Sequence, residues 1–136
     1  VMTLFSGMTL VLACYVILPT GLNLRPYYVP GSDIFARAVR FLYRTDTPIN
    51  VCPSIHVFNS VTLLLAYYRS RLFERPRLRW MRPAAAVLCG SIVCSTVLLK
   101  QHSCIDVVLG ILLALALDAA FTAASEYSEL LQTRRV

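Results

Sequence analysis

The sequence predicts an all-α fold, a multi-pass transmembrane helical bundle of about four spans with one short interfacial helix. Of its 136 residues 57% are hydrophobic, and the mean hydropathy is +0.65, well above the usual level of a soluble domain. Several apolar stretches approach the roughly 20 residues that a bilayer crossing requires, with almost no charge inside them. The basic residues behind the net charge of +6 gather between these stretches and do not alternate with aromatics on a polar face. Nucleic acid is therefore not an expected partner, and anionic lipid headgroups are.

Met2 to Leu18 forms the first span, ended by Pro19 and Gly21. The chain opens at Val1 rather than methionine and this run lacks a basic leader and a small-residue cleavage site, so upstream sequence is expected. The segment GLNLRPYYVPGSD reads as an interfacial loop, with turn formers and two tyrosines where a chain leaves the hydrocarbon. From Ser32 to Tyr43, Ile34, Phe35, Ala38, Val39 and Leu42 recur at helical spacing among Arg37, Arg40 and Arg44, the pattern of a helix lying on a membrane surface.

A loop over Asp46 to Pro53 leads into a second span, Ile55 to Tyr68, and then into YYRSRLFERPRLRWMRP, which holds six arginines. Pro83 to Leu99 is the third span, in which Ala86, Gly90 and Cys94 offer one small-residue face for close helix packing. Ile105 to Ala124 is the fourth. Its Asp118 is expected to pair with an arginine near the opposite interface, and a polar tail from Ser125 ends at Arg134 and Arg135.

Residues 1–136 are thus expected to form a single membrane-embedded domain. Four crossings bring Arg25, His56 and His102 to one side and the six-arginine turn to the other, and the positive-inside tendency makes the histidine side extracytoplasmic. Cys14, Cys52, Cys89, Cys94 and Cys104 are odd in number and lack paired ligand spacing, so neither a disulfide framework nor a zinc site is expected.

Candidate chemistry lies at the span ends. In STVLLKQHSCID, His102 and Asp106 are four apart, close enough on a helix for the carboxylate to fix the imidazole and aim its other nitrogen. In CPSIHV, Ser54 and His56 open a span, where free backbone amides bind anions. Arg25 and Lys100 share that side. Each residue alone has an ordinary role: helix start, snorkelling cation, interfacial histidine. Two histidines, a carboxylate, a serine and two cations on one membrane face are costly to hold near lipid without use.

With LRP at Leu24 to Pro26, PSIH at Pro53 to His56 and STVLLKQHSCID, the chain resembles the type 2 phosphatidic acid phosphatase (PAP2) superfamily, especially its inositolphosphotransferase-like branch, over nearly its whole length. The superfamily pattern is a lysine seven residues before Arg-Pro, then Pro-Ser-x-His, then Ser-Arg followed after five residues by His-x-x-x-Asp. Leu18 stands in the place of that lysine and Thr96 in the place of that arginine, with Lys100 one turn nearer His102. The resemblance implies a membrane lipid-phosphate phosphatase in which His102 attacks phosphorus, Asp106 orients it and His56 protonates the leaving alkoxide. Arg25, Ser54 and Lys100 would hold the phosphoryl oxygens, and neither a metal nor a cofactor is required. Water or a second alcohol would complete the reaction, giving a phosphatase or a phosphotransferase that moves a headgroup such as inositol phosphate. Family members usually have six spans, which implies two upstream of this chain. Two alternatives stand beside this: two histidines from separate helices binding haem, or a catalytically silent membrane scaffold.

Overall fold

Among the described residues, prolines and side-chain caps help to bound five α-helices and one 3-10 turn. The computed structural model describes residues 2–133, so the predicted Arg134–Arg135 end of the tail lies outside the described residues. The helices are α1 (Met2–Ile17), α2 (Ile34–Thr45), α3 (Ile55–Arg69), α4 (Met81–Leu98) and α5 (Cys104–Thr133), with the 3-10 turn Arg71–Glu74 between α3 and α4. Asp33 caps α2 by accepting from the Ala36 amide, and Ser54 caps α3 by accepting from the Val57 amide, each satisfying one of the donors a helix start leaves open. At the other end of α3, Arg82 donates to the carbonyls of Tyr67, Tyr68 and Ser70, so part of the arginine-rich turn closes a helix C-terminus.

Two helices, α4 with 18 residues and α5 with 30, are long and apolar enough to cross a membrane. The 16 residues of α1 and 15 of α3 rise only about 24 and 22 Å, against a hydrocarbon core of about 30 Å. Pro19 lies just beyond the end of α1 and Pro53 just before the start of α3. The expected polar tail is instead the helical continuation of α5 as far as Thr133. No proline or glycine interrupts 111–133.

Helix α3 is central and packs on α1, α4 and α5. Val11, Val57, Phe58, Cys89, Val107 and Ala114 are buried between them. The close contacts are not on the predicted Ala86, Gly90 and Cys94 face. Gly90 is exposed, and a Cβ there would meet nothing within 4 Å. Gly7 and Gly110 supply the contacts: Gly7 lies against the Phe58 ring, and a Cβ on Gly110 would sit 2.8 Å from the Ser54 carbonyl oxygen and 3.3 Å from Val57 Cβ. Spacing within one helix marked a small-residue stripe, but the partner helix decides which glycine is used. The arginine expected to pair with Asp118 is Arg69, 2.7 Å away.

The backbone oxygen facing Gly110 cannot move aside as a flexible side chain would. Gly110→Ala should therefore destabilise the fold by about 1–3 kcal/mol, whereas Gly90→Ala, in an open helical position, should leave it unchanged or raise its stability by up to about 1 kcal/mol. Thermal unfolding in detergent compares the two, and equal Tm values would contradict the packing described.

Candidate active site

The loops on either side of α2 are laced together beneath the start of α3. Gly21 and Ile49 form an isolated antiparallel bridge, the Leu22 amide donates to the Pro48 carbonyl at 2.9 Å, and Thr20 Oγ1 accepts from the amides of Val51 and Cys52 at 3.1 and 3.0 Å. Tyr15 reaches up from α1 to donate to the Pro53 carbonyl at 2.7 Å. The loop 46–54 is thereby held against the starts of α3 and α5, and its buried Val51 presents a carbonyl to the histidine pair.

His56, in the first turn of α3, and His102, just before α5, approach edge to face with ring centroids 5.8 Å apart and an interplanar angle of 67°. They line one cleft of about 300 Å³ with Tyr15, Asp46, Asn50 and Gln101. His102 is buried at its floor and His56 is exposed at its mouth. His102 Nδ1 lies 2.8 Å from the Val51 carbonyl oxygen. A carbonyl only accepts, so Nδ1 carries the proton and the neutral ring keeps its lone pair on Nε2.

The structure separates the other predicted residues into distinct places. Asp106 Oδ2 is 3.9 Å from His102 Nδ1, beyond hydrogen-bond length. Its nearest partner is the Ser103 amide at 2.7 Å, while Ser103 Oγ accepts from the Asp106 amide at 3.3 Å. This is a reciprocal capping box at the start of α5, and it keeps a negative charge behind the imidazole. Ser54 is fully buried. Its hydroxyl caps α3 and its amide donates to the Asp106 carbonyl at 3.1 Å. Lys100 is exposed, in a left-handed conformation with φ 51°, and does not line the cleft.

Arg25 lines a neighbouring hollow with Arg40, Arg44 and Tyr43. Its Nη2 is 2.5 Å from Asp46 Oδ2, its Nη1 donates to the Asp46 carbonyl, and its guanidinium lies over the Tyr43 ring.

Sequence reasoning passed over Asp46, Gln101 and Val51. Gln101 Nε2 donates to Asp46 Oδ2 at 3.0 Å, so Asp46 joins Arg25 to the histidine loop. The available signal was charge: Asp46 is the only acidic residue between Arg25 and His56 apart from the α2 cap Asp33. Val51 acts through its backbone, which no side-chain motif reveals.

Burial holds the His102 imidazole below the ordinary histidine range and His56 adds to the effect, against the opposing pull of the Val51 carbonyl and Asp106. A neutral ring with an accessible lone pair is a nucleophile or a base. Burial pushes the Cys52 thiol up, helped by the Asp106 carboxylate, so it stays protonated and is not a competing thiolate nucleophile.

A bundle with a paired-histidine cleft where loops meet helix starts is an arrangement suited to acid–base and nucleophilic transfer chemistry. The model of the PAP2 superfamily matches residues 1–129, and the chain belongs to that superfamily. No curated protein and no solved structure matches it significantly. Members of the superfamily are phosphoesterases, which makes this chain an enzyme of phosphate esters by family.

The unfolded chain takes up a proton on His102 near pH 6.5 and the folded chain only at lower pH. This histidine's contribution to stability is therefore full above that value, falls as pH drops below it, and levels off below the folded value. Thermal unfolding between pH 7.5 and 5 should show a Tm decline that is smaller in His102→Asn, and identical declines would contradict a neutral buried His102.

Proposed function

We propose that this chain is an integral membrane lipid-phosphate phosphatase that works through a phosphohistidine at His102. The observation that carries the proposal is the meeting of His56 and His102, 5.8 Å apart on one cleft, within a chain of the PAP2 superfamily. His102 Nε2 forms a bond to phosphorus as the bond from phosphorus to the lipid oxygen breaks, and His56 in its protonated form gives that oxygen a proton. His56, now neutral, takes a proton from water. The resulting hydroxyl attacks phosphorus, the phosphorus–nitrogen bond breaks, and phosphate leaves with His102 restored. Val51 and Asp106 keep the reacting nitrogen aimed: the carbonyl fixes the tautomer and the carboxylate stabilises positive charge on the ring.

In this proposal α1, α3, α4 and α5 all lie within the membrane, the short α3 accommodated by local thinning or by snorkelling of flanking residues. Ile34, Phe35 and Phe41 on α2 are exposed, which supports a seat at the interface beside the cleft. The arginine-rich turn at the far ends of α3 and α4 supports an extracytoplasmic cleft. An alcohol in place of water would turn the second half-reaction into headgroup transfer. The polar side chains of Thr47, Asn50 and Gln101 along the cleft favour this second reading for a hydroxylated acceptor such as inositol.

His102→Ala should abolish phosphate release from phosphatidic acid in mixed micelles and remove the acid-labile phosphoprotein trapped on quenching. His56→Ala should slow lipid phosphates, which have poor leaving groups, by about 10²-fold or more, and slow p-nitrophenyl phosphate much less. Unchanged rates in both variants would reject the mechanism.

A further inference from the structure

We propose that Asp46 holds the place of a phosphoryl oxygen in the resting site, so that phosphate enters by displacing an internal carboxylate from Arg25 and Gln101. The inference rests on the phosphotransfer reading above and adds the residue that sets the affinity of that site for phosphate. Arg25 Nη2 and Gln101 Nε2 come from segments 76 positions apart in the chain, yet both converge on Asp46 Oδ2, at 2.5 and 3.0 Å. Two donors aimed at one anionic oxygen beside a buried imidazole form the cradle that a transferring phosphoryl group uses. Gln101 directly precedes His102, and both line the cleft with Asp46.

The donors do not need the carboxylate to stay in position. Arg25 is mostly buried, with its side chain 11% exposed, and it is also fixed by the main-chain oxygen of Asp46 and by the Tyr43 ring. Among the described residues its buried Nε has no hydrogen-bond partner, so it retains a spare donor. Gln101 is buried at 9%. Asp46 is the least enclosed member, its side chain 38% exposed. Nor does any formal positive charge besides the histidines line the cleft among the described residues, and the one carboxylate there is Asp46. An incoming phosphate thus meets like charge until that side chain turns away, after which two donors become free. Such a site discriminates by local concentration: a lipid phosphate held at the membrane surface competes well with a tethered carboxylate, and dilute free phosphate competes poorly. Released product is kept from re-occupying the site.

The test measures binding of inorganic phosphate by ³¹P NMR and its inhibition of phosphatidic acid hydrolysis, for the full chain in detergent. D46N keeps the main-chain contact to Arg25 and removes the charge. It should bind phosphate about tenfold more tightly or better, and phosphate should inhibit it at correspondingly lower concentration. D46A should reproduce the gain, which covers a failure of D46N to fold, and adding R25A to D46N should remove it. Equal or weaker phosphate binding by the Asp46 variants would overturn the inference and leave Asp46 as a clamp for Arg25. Wild-type protein that releases no phosphate from lipid would instead overturn the phosphatase reading, while the binding measurement would still decide whether the carboxylate occupies an anion seat.

Discussion

The site depends on one backbone hydrogen bond, from the Ser54 amide to the Asp106 carbonyl at 3.1 Å. It joins the starts of α3 and α5, the two helices whose leading ends carry His56 and His102. Gly110, one turn further along α5, lets the helices approach closely enough for the bond to form, since any side chain there would strike the Ser54 carbonyl. The donor is an amide that its own helix leaves open at its start, and full burial of Ser54 makes loss of the partner costly. Two helix beginnings are thus pinned at a common level, and the histidine pair follows from that junction.

From this junction the electrostatics separate into two halves. On the His102 side, Val51 donates no charge but fixes a proton on Nδ1, and Asp106 contributes charge at 3.9 Å without taking the proton. Asp106 is occupied as the second half of a capping box, which favours the N-terminal end of α5 as well. One carboxylate therefore serves both helix and imidazole, and the orienting contact passes to a backbone carbonyl. On the Arg25 side, the cation is matched by Asp46, so the cleft at rest is not a region of strong positive potential.

Much of the helix order was legible because Pro19, Pro53 and the caps Asp33 and Ser54 mark boundaries by local chemistry. The length of α5 was not, because Ser125, Glu126 and Ser128 read as a polar tail, whereas in the structure the helix continues through them to Thr133. The meeting of His56 and His102 needs only that the starts of α3 and α5 lie together, which helix order makes legible. The places of Arg25 and Lys100 depended on loop conformation. A left-handed backbone at Lys100 and a carboxylate beside Arg25 are set by contacts between distant segments, and no spacing within one motif encodes them. Asp106 and Ser54 stood out in the sequence as candidate site residues, whereas the structure gives them capping and backbone duties, since a side-chain pattern says nothing about which amide meets which carbonyl.

The difference in exposure between the two histidines bears on the division of labour proposed for them. A group that forms a covalent bond to phosphorus gains from burial, which keeps it neutral at pH 7 and excludes competing water. A group that trades protons with a leaving alcohol and then with an incoming water gains from access to solvent. His102 has the first kind of environment and His56 the second, which suits the roles proposed for them, and the loop carrying Val51 and Asp46 lines the same cleft as both rings. That same loop is stitched to the segment after α1 through Thr20 and Gly21, so α1 supports the cleft, which its Tyr15 also lines. The histidine pair depends on two helix starts being level and on the loop lattice beneath them, so a disturbance at Thr20 reaches His102 Nδ1 through Val51, whose amide donates to Thr20 Oγ1 and whose carbonyl faces that nitrogen.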